Sequence, residues 1–241
     1  MKKIFKKIIV AILTLEAKAL LKRTRPQIIA ITGSVGKTSI KDAIFEALKG
    51  HMHVRKSEKS FNSEIGVPLS VLGLPNAWSN PFLWLKNIID GALLVMHPGE
   101  YPKMLVLEMG VDRPGDMDRL TSWIKPDVVV LTRLPDVPVH VEYFDSPEAV
   151  AHEKQKLVNA LKPDGVLVYN QDDEKVVKVA GETFQQSIGY SRYSLSPFTA
   201  SADKIIYDNG RACGFEFLLT HLKSAVLMRV NGSLGVQHTY N

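Results

Sequence analysis

Apolar and polar positions recur along the chain in two periods, and the switches between them mark its elements. Ile28-Ile29-Ala30-Ile31 is a short apolar run ending at Thr32-Gly33, which predicts a strand buried on both faces. From Lys37 the period lengthens. Ile40, Ala43, Ile44, Ala47 and Leu48 fall on one stripe, predicting a helix that stops at Gly50. The stretch 55–68 is polar and predicts a loop. Asn80-Pro81 reads as the cap and first residue of a helix to Met96, rich in Leu, Ile and Trp and broken by Lys86, Asn87 and Asp90. That helix is either core or a membrane-facing surface, with core as the default. Met104 to Leu107, Val128 to Leu131 and Val166 to Tyr169 predict further strands, and Ser146-Pro147-Glu148 opens a helix that ends at Lys162-Pro163-Asp164-Gly165. Runs around Ile205-Ile206-Tyr207, Phe215 to Leu219 and Val226 to Val230 are split by turn residues. The prediction is an α/β fold, a parallel sheet with helices on both faces plus a small antiparallel sheet near the C-terminus.

Charge changes this picture at one end only. The net charge is +5, yet residues 1–26 hold Lys2, Lys3, Lys6, Lys7, Lys18, Lys22, Arg23 and Arg25 against Glu16 alone. The body is therefore close to neutral, and nucleic-acid binding is not expected of it. The tail mixes those cations with Ile4, Phe5, Ile8, Ile9, Ile12, Leu13 and Leu20. Its longest apolar run, Ile8 to Leu13, is far short of the roughly 20 residues that span a bilayer. A basic amphipathic helix over residues 1–26 is expected, lying on an anionic membrane surface or packed on the body. Ala17-Lys18-Ala19 loosely resembles a signal-peptidase site, a reading discounted by the candidate chemistry that begins at Thr32-Gly33. The single cysteine, Cys213, excludes an internal disulfide framework and suits a reducing cytoplasm.

Candidate chemistry starts where the first strand ends. Thr32-Gly33-Ser34-Val35-Gly36-Lys37-Thr38-Ser39 joins a strand to a helix start through a glycine-punctuated turn. Such a loop brings backbone N–H groups and the positive end of a helix to phosphate oxygens. Lys37 would reach the outer phosphates and the Thr38 hydroxyl would coordinate Mg²⁺, giving the sheet a P-loop NTPase-like character. Ile31 stands where the usual spacing has a glycine, so the loop is a variant. Glu108, at the end of the 104–107 run, stands where Mg²⁺ is usually held in such folds. In the helix opened by Ser146, Lys154 falls four after Val150 and three before Leu157, on the stripe that faces the protein. An inward lysine is costly unless paired or chemically altered; it is either a snorkelling lysine at the helix edge or an active-site lysine.

Four separated motifs together resemble the Mur ligase family, the ATP-dependent amide-forming enzymes of peptidoglycan synthesis. They are Thr32 to Thr38, Asn62-Ser63-Glu64-Ile65-Gly66-Val67-Pro68, Leu107-Glu108-Met109-Gly110 with Arg113-Pro114-Gly115-Asp116, and Ser146 to Lys154. The family's loop has the same short form, which accounts for Ile31. The resemblance implies that Gly33, Ser34, Gly36, Lys37, Thr38 and Ser39 bind ATP phosphates, and that Thr38, Glu108 and His140 hold Mg²⁺. It implies that Lys154 is the family's carbamylated, metal-positioning lysine, so that Lys37, Lys154 and His140 are the catalytic set. Asn62 would lie in the substrate-side loop. Asn170 and Asp173 resemble the segment after the fourth motif, and His238 with Asn241 the start of an adenine-side motif. Lys59-Ser60 stands where Gly-Asn is common. Too few residues precede Thr32 for the family's UDP-sugar-binding domain, and Asn241 falls before its C-terminal, amine-binding domain, so a truncated chain is expected.

The reaction so implied activates a carboxylate of a cell-wall precursor as an acyl phosphate, which an amine then attacks. The expected protein is cytoplasmic and monomeric, touching the inner face of the membrane at most through residues 1–25. Two alternatives stay open: a related ligase acting in folate polyglutamylation or on a lipid-linked acceptor, and a membrane-attached nucleotide switch without ligation chemistry. A guanine-specific switch wants Asn-Lys-x-Asp, and Asn170-Gln171-Asp172-Asp173 lacks the lysine.

Overall fold

The first apolar run forms β1 (Gln27–Thr32), whose alternation sends Ile28 and Ala30 to one face of the sheet and Ile29 and Ile31 to the other. The computed structural model describes residues 3–58, 61–135, 143–193 and 196–232. Beside β1 stand β2 (Val54–Lys56), β3 (Met104–Glu108), β4 (Val128–Leu131), β5 (Val166–Asn170) and β6 (Gln186–Ser191). Their order is β2-β3-β1-β4-β5-β6, and all pair in parallel. The C-terminal runs are β7 (Phe198–Asp208), β8 (Arg211–His221) and β9 (Ser224–Asn231), which pair antiparallel as expected. They do not make a separate sheet. Tyr190 and Ser191 of β6 pair with Phe198 and Thr199 of β7, so one nine-stranded sheet runs through.

The helices are α1 (Lys3–Thr24), α2 (Lys37–Leu48), α3 (Gly66–Leu72), α4 (Pro81–Met96), α5 (Asp116–Thr121), α6 (Pro147–Asn159) and α7 (Glu174–Gly181). A large cluster on one face of the sheet joins Ile28, Ala30, Leu105, Leu107, Val129 and Leu131 to side chains of α1 and α3 through α7. On the other face Ile40 and Ile44 of α2 cover Ile29, Ile31, Val106 and Val130. Two caps read from sequence are made: Asn80 accepts from the N–H groups of Phe82 and Leu83, and Ser146 from that of Ala149. The expected loop at 55–68 is corrected. Its start is β2, with Ser57 N–H donating to Val106 O at 2.9 Å, and its end enters α3, a helix whose residues are all buried. Burial overrides the weak helical propensity of Gly66 and Pro68, and Pro68 sits in the first turn, where its missing N–H costs nothing.

Helix α1 contributes Ile9, Leu13, Ala17 and Leu20, each 0–1% exposed, to the main core. It lies beside α4, where Arg23 Nη1 donates to Val95 O at 3.0 Å. Between the two helices Glu16 presses on Gly91: a Cβ there would come within 2.2 Å of Glu16 Oε2. That oxygen is buried with no hydrogen-bond partner, and desolvation pushes the carboxyl up to about 7 from its ordinary 4.5. The sign follows from proton linkage. Between those two values the unfolded chain ionises and the folded chain holds its proton, so stability falls as pH rises from 4.5 through about 7. Glu16→Gln is therefore expected to melt on the order of a few degrees above the parent at pH 8 and level with it at pH 4.5. Parallel melting curves for the two across that range would dismiss this assignment.

Helix α4 is core on one side only. Trp84, Asn87 and Gly91 are buried, while Phe82, Leu85, Ile89, Leu93 and Met96 are exposed.

The chain leaves β1 through α2 for β2 and β3 on one side, and from β3 it crosses past β1 to β4 on the other. The carboxyl end of β1 is thus a topological switch point, the place where open α/β sheets bind ligands. The glycine-rich loop begins there.

Candidate active site

Gly33 and Gly36 give the loop its shape. Gly33 has φ +136° and lies against Thr132 just beyond β4, where a Cβ would come within 1.8 Å of the Thr132 hydroxyl. Gly36 has φ 87° and caps α2 with no side chain in the way. The loop is tied to the β4 end by Ser34 N–H donating to Arg133 O at 2.8 Å. The first turn of α2 holds no acidic residue, so its N–H groups and dipole present uncompensated positive charge to the loop.

Lys37 opens α2 and donates to Gly33 O at 3.0 Å, curling over the loop. Burial pulls its amine below the ordinary value, opposed by the charges of Glu108 and Asp112. Thr38 Oγ1 donates to Glu108 Oε2 at 2.9 Å, and Asn62 Nδ2 donates to Glu108 Oε1 at 3.1 Å. Glu108 is thereby the hub of the site, 4% exposed at the end of β3, its own N–H donating to Ser57 Oγ at 3.2 Å. Asn62 is held in turn by Gly110 N–H donating to Asn62 O at 2.8 Å. The motif around Asn62 therefore meets the motif around Glu108 directly.

Lys154 comes from α6, as its spacing predicts for the inward face. It is 5% exposed, and its Nζ donates to Ser34 Oγ at 2.7 Å. Burial, with the Lys37 cation second, pulls the Lys154 amine down to about 7. Lys156, two positions on, faces outward and bonds Asp118 and Glu153. His140, His238 and Asn241 lie outside the described residues.

Lys41 was not singled out by sequence. It is 1% exposed, with Nζ 3.7 Å from Glu108 Oε2 and 3.9 Å from Asp42 Oδ1. Its signal was available: four residues after Lys37, it shares that face of α2. Two residues of the later motif segments have local work. The Asp116 carboxylate accepts from the N–H groups of Asp112 and Arg113, closing the turn before α5. Asp173 caps α7 and accepts from Leu134 N–H at 2.8 Å, pinning the chain after β4. Asn170 is fully buried with its Nδ2 unpartnered.

Oxygen donors from Thr38 and Glu108 meet at one point, a set that suits a hard cation such as Mg²⁺. Around them stand the amines of Lys37, Lys41 and Lys154, with the Asp42 carboxylate 3.9 Å from Lys41 and the charge of Asp112 acting on Lys37. Among the described residues no group of three or more His, Cys, Asp or Glu side chains is gathered to hold a metal. The cation site is thus half built from ordinary side chains, and Lys154 as a free amine does not complete it.

The model of the Mur ligase middle domain matches residues 85–236. The UDP-N-acetylmuramoyl-tripeptide–D-alanyl-D-alanine ligase of Bacillus subtilis is 34% identical over 157 residues, 65% of this chain and 29% of that protein. Among solved structures, a MurF from Acinetobacter baumannii superposes with TM-score 0.74 at 17% identity, covering 96% of this chain and 44% of that one. A MurF ligase from Thermotoga maritima in complex with ADP gives 0.72 at 22%, covering 95% and 46%. The chain thus spans less than half the length of these relatives. With the family's middle domain matched over more than half of its residues, this chain belongs to the Mur ligase family.

Proposed function

We propose that this chain is the nucleotide-binding half of an ATP-dependent amide ligase that activates a carboxylate of a cell-wall peptide precursor in the cytoplasm. The observation that carries the reading is the convergence at the end of β1: a glycine-rich loop, the Thr38–Glu108 pair and an inward Lys154 bonded to that loop. Gly33, Ser34, Gly36, Lys37, Thr38 and Ser39 cradle the phosphates of ATP. The substrate carboxylate oxygen attacks the γ-phosphorus, the bond to the β,γ-bridging oxygen breaks, and acyl phosphate and ADP result. The incoming amine then adds to the acyl carbon, loses a proton, and phosphate leaves, giving the amide. Lys37 neutralises charge that builds on the transferring phosphoryl group, and α2 holds it in place.

Lys154 reacts through its neutral amine. The nitrogen adds to CO₂ and loses a proton, leaving –NH–COO⁻ in place of the amine. With that carbamate, Thr38 and Glu108 would hold Mg²⁺, which when bound neutralises phosphate charge. His140 as a further metal ligand, and His238 with Asn241 beside the adenine, complete the set that the family pattern implies. Asn62 keeps Glu108 oriented from the substrate side. Residues 1–25 touch the inner face of the membrane.

The test is ADP release by the full-length protein supplied with ATP, Mg²⁺, a UDP-muramoyl tripeptide and D-alanyl-D-alanine. ADP formation that requires both the carboxylate and the amine is expected. Turnover with folate and glutamate instead, or nucleotide hydrolysis indifferent to any acceptor, would overturn the reading.

A further inference from the structure

Helix α4 is rich in apolar residues well beyond the side it buries, broken only by Lys86, Asn87 and Asp90. Its inner side is covered by the core, but its outer side is not. Phe82, Leu85, Ile89, Leu93 and Met96 recur at three- and four-residue spacing, each 50% exposed or more. Trp78, in the turn before α4, is 77% exposed and held outward with φ 48°, its N–H donating to the Asn76 side chain. On the neighbouring helix α1, Phe5 and Ile8 are also exposed, while Leu15 lines a groove with Glu64, Arg119 and Trp123. An exposed apolar stripe running the length of a helix marks a contact surface.

We propose that this face of α4 and α1 docks on an anionic lipid bilayer, with α4 rather than the N-terminal tail supplying the apolar contact. The proposal rests on the membrane part of the reading above and is independent of its ligase chemistry. The tail's best apolar stripe, Ile9, Leu13, Ala17 and Leu20, is spent in the protein core and cannot also enter lipid. What α1 offers outward is mostly charge: Lys6, Lys7, Lys18, Lys22, Arg23 and Arg25 are exposed. On α4 the one acidic residue, Asp90, is paired with Lys86. Cations flanking an apolar stripe with aromatic residues at one end make up the pattern of a helix lying in the headgroup region. A second copy of this chain is the poorer occupant, because an isologous contact would bring two cationic α1 helices together. Among the described residues no helix is long and apolar enough to cross a membrane, so the contact lies on the bilayer surface.

Vesicle flotation of the full-length protein tests this. The parent is expected to float with vesicles of phosphatidylcholine and phosphatidylglycerol at low salt and to be released at high salt. Ile89→Ser with Leu93→Ser should lower the bound fraction about tenfold, with melting and ATP binding unchanged because both side chains are exposed. Lys7→Glu with Lys22→Glu should weaken binding to anionic vesicles by a similar factor. Loss on the lysine changes but not on the Ile89/Leu93 pair would overturn the role of α4 and leave the tail contact standing. Absence of flotation would overturn both. Equal flotation with phosphatidylcholine alone, or a dimer in light scattering that the Ile89/Leu93 pair dissolves, would also overturn the proposal.

Discussion

Lys154→Arg in the full-length protein is expected to lower the rate of ADP formation about 10²–10³-fold while ATP still binds. Arginine keeps the positive charge and much of the length of lysine, and a guanidinium can still reach Ser34. It cannot lose a proton at any working pH, so it cannot add CO₂. The lysine can, because burial and Lys37 have brought its amine down to about 7. Above that pH most of the amine is neutral and nucleophilic. Below it the amine protonates, so parent activity should fall as pH drops through about 7 and should respond there to added bicarbonate. Carbon-13 NMR in labelled bicarbonate should show a carbamate signal in the parent that Lys154→Arg lacks. Full activity in the arginine variant would leave Lys154 a structural partner of Ser34 and nothing more.

This site was legible in sequence to the extent that its chemistry is local. The strand, the two glycines and Lys37-Thr38 are consecutive, so one window holds them all. Lys154 was legible because helical spacing alone puts it on the inward stripe between Val150 and Leu157. Elements whose stability comes from elsewhere were not. Val54–Lys56 is three residues with no apolar alternation, and it becomes β2 because the open edge of β3 offers hydrogen bonds. Gly66–Leu72 carries a glycine and a proline, and it becomes α3 because the whole segment is enclosed. The outer stripe of α4 stayed open between core and surface for the converse reason. Its composition matches a core helix, and only the packing of α1 and α4 shows which side the core uses. Lys41 was missed because its meaning lies in Glu108, remote in sequence.

That pairing gives the second large effect. Lys41→Met is expected to destabilise the protein by about 3 kcal/mol, a drop in melting temperature on the order of 10 °C. Lys41 and Glu108 are 1% and 4% exposed and stand 3.7 Å apart, so neither charge is solvated once its partner is gone. Removing the lysine leaves Glu108 with hydrogen bonds from Thr38 and Asn62 and, among the described residues, no other ion pair within 4.0 Å. The contrast lies in the double variant. Lys41→Met with Glu108→Gln removes both charges, and it should recover a good part of the loss, because a neutral pair carries no desolvation penalty for an orphaned ion. The cycle separates a buried ion pair from mere packing of a long side chain, since a packing role would make the two single losses add. A double variant as unstable as that sum would sink the ion-pair account. If the pair is real, Lys41 fixes the Glu108 carboxylate where Thr38 can share it, and helix α2 then carries two lysines with different work. Lys37 curls over the glycine-rich loop, and Lys41, one turn deeper, holds the carboxylate that Thr38 and Asn62 share.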